Sequence, residues 1–343
     1  MTLDLAIGLG LETLLPHVHV GHQVGVINKA IDAEADVVIL GSSRAMHSYD
    51  DRELTRVLGV RVHNAGLDGR GVLFSRGLLA LISQRHAPKL VVLDVAYSDD
   101  DRSNAYAFAP YYGRSPIVDS LLTEGDWRER VKLVSRSFRM NGVALAILGN
   151  LFAESHEWGF APISGRLEPT VRVDGHPARP LARPKPFVEE NLLALVAEAR
   201  SLGAELVFCE SPSFGDPWPA DVRALYERVA ATSGIPYIRI PDEELPSFGP
   251  ALFKDRGHLN QDGAVNDADA TLLANAILGV YQLPDFPFTR LRESSPADQE
   301  SDVALTRETV LRFTQPLATD QTIGADTLTA EALGRRWLSR TEL

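Results

Sequence analysis

Short apolar runs alternate with helix-like segments along most of the chain. Five runs rich in Val, Ile and Leu have the length of buried strands, at residues 36–40, 60–63, 89–95, 204–209 and 235–240. Apolar positions recur at helical spacing in the segments 50–58, 72–84, 187–203, 218–233 and 261–281. This alternation predicts an α/β fold with a parallel sheet and right-handed crossovers.

Three regions depart from the alternation. Residues 1–32 read as an apolar helix and a connector, and could be the remnant of a membrane anchor. Residues from about 99 to 186 form an insertion, predicted as a loop with one or two helices that makes a lid or wall above the strand ends. Residues 284–343 are polar and turn-rich, which predicts a mobile tail with short helices at most. The α/β domain is therefore expected at residues 33–283.

Composition narrows the possible partners. The formal net charge is -12, which argues against a nucleic acid or an anionic membrane as the main partner. The single cysteine, Cys209, excludes an internal disulfide and is predicted to be a buried small hydrophobe. His17, His19 and His22 have no accompanying carboxylate or cysteine at ligand spacing, so a solvated connector is favoured over a metal site and no cofactor is expected.

No cleavable signal sequence is evident, and the apolar stretch at residues 3–15 is too short for a membrane span. The chain therefore reads as soluble. Membrane association through the N-terminus and a place in the cell envelope stay open.

The candidate chemistry lies at two distant points. In DVVILGSSRAMH, residues 36–47, a buried strand ends at Gly41 and is followed by Ser42 and Ser43. Ligands of open α/β sheets bind beyond the strand ends, so a hydroxyl there can point into a crevice; the alternative is a plain turn with serine as a helix N-cap. Far downstream, Asp255 precedes His258 by three residues, and can orient an imidazole whose other nitrogen serves as base toward a serine.

Together these blocks resemble the SGNH (GDSL-type) hydrolase superfamily. The family's first block, Gly-Asp-Ser, matches GSS and puts Ser43 at the nucleophile, with Ser42 in place of the usual aspartate. Its last block, Asp-x-x-His, makes Asp255 and His258 the acid and base. The resemblance implies a three-layer α/β/α flavodoxin-like fold with a central parallel sheet and a mainly helical insertion.

The middle blocks match less fully. NAGLDG, residues 64–69, is similar to the second block, which implies that Gly69 gives a backbone N–H to an oxyanion hole shared with the N–H of Ser43. Ser98 falls where the third block has asparagine. We expect Arg44 and Asn64 to contact substrate or complete the hole; Arg44 could instead pair with Asp68 or Asp94.

The resemblance implies acyl chemistry in which Ser43 attacks a carbonyl and His258 takes its proton. Ester hydrolysis on O-acyl groups of a glycan or a small ester is the leading prediction, and O-acyl transfer in cell-envelope polysaccharide modification is the alternative. Because the usual aspartate and asparagine are replaced, a decayed site that only binds carbohydrate or a partner protein is a third reading.

Overall fold

The computed structural model contains a five-stranded, all-parallel sheet in the order β2-β1-β3-β4-β5. The structure describes residues 2–95, 102–124, 127–167, 186–214, 220–239, 250–255, 257–260, 291–295, 310–313, 329–332 and 335–338. The strands are β1 (Val37–Leu40), β2 (Val62–Asn64), β3 (Leu90–Asp94), β4 (Glu205–Glu210) and β5 (Tyr237–Arg239). The predicted α/β fold and its flavodoxin-like strand order are confirmed.

Helices join these strands as the periodicity predicts. They are α3 (Ser43–Ser48), α4 (Asp51–Leu58), α5 (Val72–Ile82), α10 (Pro186–Ser201) and α11 (Ala220–Ser233). Asp50 caps α4 by accepting the N–H groups of Arg52 and Glu53, and Gly59 ends it with φ 67°. The predicted helix at residues 261–281 lies outside the described residues.

The direction of the crossovers fixes where a ligand can bind. The chain leaves β1 toward β2 on one side, then returns through α5 to β3 on the other side of β1. Under the right-handed rule, α5, α10 and α11 share one face and α4 takes the opposite face; α10 indeed packs against both α5 and α11. The order therefore reverses between β1 and β3, the point at which open α/β sheets form their binding crevice.

The insertion is mainly helical, as expected, but its described residues contain more helices than the one or two predicted. It begins with a 3₁₀ helix (Arg102–Tyr111) and continues with α6 (Pro116–Thr123), α7 (Trp127–Val134), α8 (Arg136–Met140) and α9 (Ala144–Asn150). The prediction of one or two helices was wrong because the helices are short, and each offers too few turns for a clear period. The N-terminal α1 (Thr2–Leu14) packs against α8 and α9, and α2 (Val24–Asp32) packs against α5.

The C-terminal segment forms a separate unit, Pro284–Leu343, distinct from Met1–Leu283. Its described parts are strands rather than the short helices that the sequence suggested. The strands β6 (Leu291–Ser295) and β7 (Val310–Phe313) pair antiparallel, as do β8 (Thr329–Ala332) and β9 (Arg335–Leu338). The limits of the α/β domain at residues 33–283 stay a prediction.

Candidate active site

Asp255 and His258, the predicted acid and base, lie in a tight hairpin that follows β5 in the chain. Phe253 and Leu259 form an antiparallel bridge, and the N–H of Lys254 donates to the carbonyl oxygen of His258 at 3.0 Å. Asp255 closes the turn, since its Oδ1 accepts the N–H groups of Gly257 at 2.8 Å and His258 at 3.1 Å. The Asp-x-x-His spacing thus builds its own turn before any catalytic role is considered.

Asn260 anchors this hairpin to the insertion. Its buried side-chain amide donates to the carbonyl oxygens of Gly165, at 2.8 Å, and Ala251, at 2.7 Å. The N–H of Leu167 adds a bond to the Phe253 carbonyl at 2.7 Å. Gly165 and Leu167 of the insertion therefore contact the hairpin; a lid or wall above the strand ends stays a prediction.

Ser43, His258 and Asp255 are brought together in one chain of hydrogen bonds. The His258 Nε2 lies 2.8 Å from the Ser43 Oγ, across 215 residues of sequence. On the other side of the ring, Nδ1 lies 2.9 Å and 3.1 Å from the two carboxylate oxygens of Asp255. Because a carboxylate only accepts hydrogen bonds at neutral pH, it holds the proton on Nδ1 and leaves Nε2 free to accept from the serine hydroxyl.

The Asp255 carboxyl group is held in its ionised form. Partial burial alone would raise the pKa of Asp255, but the hydrogen bonds from Gly257 and His258, together with the charge of His258, outweigh it and the net shift is downward. The carboxylate charge is therefore available to stabilise an imidazolium at neutral pH.

Ser42 has a structural part where the family's first block has aspartate. Its Oγ accepts the N–H of Arg44 at 3.3 Å as the N-cap of α3. Gly41 has φ 151°, and a Cβ there would lie 3.0 Å from the Cβ of Asp94 and 2.8 Å from that of Ala45. Only glycine fits this turn. The N-cap reading thus applies to Ser42, and the neighbouring Ser43 carries the hydroxyl that meets His258.

The predicted oxyanion donors are described in part. Gly69 adopts a left-handed conformation, φ 66°, in an exposed turn where a Cβ would have open space on every side. Among the described residues neither its N–H nor that of Ser43 is assigned a hydrogen-bond acceptor. Ser98 lies outside the described residues. The roles of all three as oxyanion donors stay predictions.

Asn64 does not face a substrate, and its predicted role there was wrong. The side chain is fully buried and donates to the carbonyl oxygens of Ala45, at 2.7 Å, and Tyr49, at 2.8 Å. Its Oδ1 accepts the N–H of Gly66 at 3.0 Å. Since both amide hydrogens are engaged, Asn64 instead ties the loop after β2 to the helix that carries Ser43.

Arg44 is engaged inside the protein. Its Nε donates to the Ser211 Oγ at 3.0 Å, and a second nitrogen bonds the Ser211 carbonyl oxygen. Ser211 in turn donates to the buried Asp94, which also accepts from the Tyr49 hydroxyl at 2.8 Å. Burial raises the pKa of Asp94, opposed by Arg44 and these hydrogen bonds. Arg44 is therefore linked to Asp94 through Ser211; a direct pair with Asp68 or Asp94 and a substrate contact by Arg44 both stay predictions.

A second histidine–aspartate pair, which the sequence analysis missed, stands beside the first. The His47 Nε2 lies 3.1 Å from Asp68 Oδ1, and its Nδ1 lies 2.5 Å from the Ala161 carbonyl oxygen. The His47 ring meets the His258 ring edge-to-face at 5.8 Å. Because both nitrogens of His47 are engaged, His258 is the imidazole positioned to accept a proton from Ser43. The sequence pattern that could have revealed His47 is its spacing of four residues from Ser43, which places both side chains on one face of α3.

Two other expectations concern residues away from the triad. Cys209 is buried in β4, as predicted, and burial raises the pKa of its thiol to about 12. His19 and His22 bind Asp32 and Asp68 respectively. Across the described ranges, no group of three His, Cys, Asp or Glu side chains is arranged to hold a metal ion.

Comparisons with known proteins give fold-level similarity. No protein-family model matches the chain, and no curated protein matches it. Among solved structures, the chain is similar to a "putative acylhydrolase" from Bacteroides fragilis NCTC 9343, with 15% identity, a TM-score of 0.36, and coverage of 71% of this chain and 86% of that one. The chain is also similar to a "GDSL-like lipase" from Bacteroides thetaiotaomicron VPI-5482, with 12% identity, a TM-score of 0.33, and coverage of 71% of this chain and 88% of that one. At these TM-scores and identities the similarity assigns no function to the chain.

Proposed function

We propose that the chain is a serine-dependent acyl hydrolase of the SGNH type, with Ser43 as nucleophile, His258 as general base and Asp255 as the acid that orients it. The observation that carries the proposal is the 2.8 Å contact between the Ser43 Oγ and the His258 Nε2, with Asp255 on the opposite ring nitrogen. A nucleophile, a base within hydrogen-bond reach and a third group that orients the base are the geometry of covalent acyl transfer.

In the proposed reaction the Ser43 oxygen attacks the ester carbonyl while its proton moves to Nε2 of His258. The imidazolium then gives that proton to the departing alcohol, which leaves an acyl-enzyme. Water, deprotonated by the same nitrogen, releases the acid and restores Ser43. The N–H groups of Ser43 and Gly69 are the proposed donors to the oxyanion, with Ser98 as a third; loss of one such donor typically slows acyl transfer by about 100- to 1000-fold.

Solvent access favours water as the acyl acceptor over a sugar hydroxyl. The side chains of Asp255 and His258 are 56% and 28% exposed. A transferase must exclude water from its acyl-enzyme, which asks for a closed site. An O-acyl group on a glycan or a small ester is the proposed substrate class.

A fluorophosphonate probe tests the nucleophile directly. Wild-type protein is expected to be labelled at Ser43, and Ser43→Ala should abolish labelling and hydrolysis of p-nitrophenyl acetate. Ser42→Ala is the matched control: it removes the adjacent hydroxyl and costs about 1 kcal/mol of capping energy, but should keep the label. Labelling that survives Ser43→Ala would remove Ser43 as nucleophile. Folded wild-type protein that takes no label would instead support the binding-module reading.

A further inference from the structure

The helical layer built by α1, α7, α8 and α9 turns apolar side chains outward. Trp127, Val131 and Val134 follow one another at i, i+4 and i+7 on α7 and are 60–76% exposed. The opposite face of α7 buries Leu133 completely. A helix that packs on one face normally shows charged residues on the other. On α7, by contrast, a stripe of apolar side chains faces away from the core, in addition to the apolar side that packs.

The same inversion recurs on α9. Leu145 and Leu148 on α9, and Phe152 two residues after its end, stand at i, i+3 and i+7 and are 87%, 56% and 92% exposed. Ile147 on the other face of α9 is fully buried. On α1, Leu5, Ile7 and Leu9 are exposed as well. Of the twelve large apolar side chains that are exposed among the described residues, ten lie on these helices or directly beside them. Such concentration marks an interaction surface rather than the scattered exposure that any protein shows.

The charge of this layer is opposite to that of the whole chain. Residues 127–152, which include α7, α8 and α9, contain five basic side chains and one acidic side chain, a net charge of +4. Asp4 and Glu12 of α1 bring the layer to +2, in a protein of net charge -12. Arg128 and Arg130 are exposed and flank the apolar stripe of α7. The overall acidity argued against an anionic membrane as a partner, but that average conceals this local reversal.

The acidic residues of α1 face the neighbouring helix. Asp4 accepts hydrogen bonds from Ser135 and Ser137, and Glu12 pairs with Arg136 and Arg139. These contacts hold α1 on α8. The two arginines offset the charge of Glu12, and the serines hold the Asp4 carboxylate against α8 in its charged form, with its pKa lowered to about 2. The outward side of the layer is therefore left to apolar and basic groups.

We propose that this surface, comprising the exposed faces of α1, α7 and α9, binds an anionic lipid surface in the plane of the membrane. Basic residues beside a stripe that includes Trp, Phe and Leu are the chemistry of an interfacial helix, whose apolar side enters the headgroup region while Lys and Arg meet acidic lipids. None of the described helices is long and apolar enough to cross a bilayer, and interfacial binding requires no such helix. The proposal does not depend on the activity proposed above.

Co-sedimentation with vesicles tests the proposal with the full chain. We expect binding to vesicles of phosphatidylglycerol and phosphatidylcholine in equal parts, with little binding to phosphatidylcholine alone. Trp127→Glu combined with Leu145→Glu should lower binding at least tenfold. Arg130→Gln should lower it roughly fivefold, the effect of one basic residue near an acidic surface. Raising the salt to 1 M should weaken the interaction by screening.

Leu193→Glu is the matched control, because Leu193 is an exposed leucine on α10, outside the proposed surface. It should bind vesicles like the wild type. Since all the substituted side chains are exposed, thermal melting should confirm that each variant folds. Equal binding by the Trp127/Leu145 variant and the wild type overturns the proposal. So does a folded wild type that binds no vesicles but forms a dimer which the same substitutions dissociate, as this would assign the surface to a second copy of the chain.

Discussion

Replacing Asp255 by asparagine tests the proposed triad at its most exposed member. In the structure Oδ1 accepts the backbone N–H groups of Gly257 and His258, while both carboxylate oxygens face the Nδ1 of His258. An asparagine that keeps its oxygen on the two backbone donors places its NH₂ group against Nδ1. The turn is thereby preserved, but the ring now accepts at Nδ1 and carries its proton on Nε2, where it cannot receive one from Ser43.

The size of the effect can be bounded. A carboxylate about 4 Å from an imidazolium stabilises it by about 1 kcal/mol in water and about 4 kcal/mol at the effective dielectric of a protein surface. These limits correspond to rate losses of roughly 5-fold and 1000-fold. Exposure of Asp255 lowers the electrostatic part, whereas the wrong tautomer adds to the loss. We therefore expect kcat/KM to fall about 100- to 1000-fold.

The assay is hydrolysis of p-nitrophenyl acetate between pH 6 and 9, with thermal melting to verify the fold. Asp68→Asn is the comparison, because it alters the carboxylate on His47 rather than the one on His258; we expect it to reduce kcat/KM less than tenfold. If folded Asp255→Asn kept kcat/KM within threefold of the wild type, the orienting role of Asp255 would be refuted. A larger loss in Asp68→Asn than in Asp255→Asn would move the catalytic pair to His47.

Two further predictions concern stability, measured by urea unfolding. Burial lowers the pKa of His63 to about 3, so below pH 6.5 the unfolded chain binds a proton that the folded chain does not, and the free energy of unfolding decreases as the pH is lowered. Between pH 6.5 and pH 5 this loss should be about 1.5 kcal/mol. His63→Gln should flatten this dependence on pH, and an unchanged dependence would contradict the role given to His63. Gly159→Ala places a Cβ 1.7 Å from the Asn64 carbonyl oxygen and should lower the free energy of unfolding by more than about 1 kcal/mol. Gly149→Ala lies in α9, where a Cβ meets no atom within 4 Å, and should raise the free energy of unfolding by about 0.5–1 kcal/mol. Equal effects of the two substitutions would contradict this packing.

Much of the sheet was predictable because its information is local. A parallel strand covered by helices on both faces needs a continuous apolar run, and β1, β3 and β4 each show one. The cluster of Ser43, Asp255 and His258 was predictable for a related reason. Ser43 follows a strand end directly, and Asp255 with His258 forms a self-contained turn, so each half can be recognised within a few residues.

The rest depends on contacts between distant segments, which no local pattern encodes. Asn64 sits in a block that suggests a substrate contact, yet its amide is taken up by the backbone of α3. The buried Asp51 accepts backbone N–H groups from Asn64, Gly159 and Phe160 and so joins the insertion to β2. In sequence, Asp51 is only one acidic residue at the start of a helix. Whether such a carboxylate caps its own helix or joins two distant segments can be decided only when its neighbours in space are known.

Contacts between distant segments also explain how the site can form with a serine at residue 42, where the first block that the sequence resembles has aspartate. The N-terminus of α3 needs an oxygen acceptor at residue 42, and a serine hydroxyl satisfies the Arg44 N–H as an aspartate would. The position of α3 is then set by three further ties: Asn64 on the Ala45 carbonyl oxygen, Arg44 on Ser211, and the Met46 carbonyl oxygen on the Ala161 N–H. The Ser43 side chain is therefore positioned by the helix that carries it and needs no carboxylate at residue 42. For that reason the substitution at residue 42 is compatible with a Ser43 hydroxyl aimed at His258.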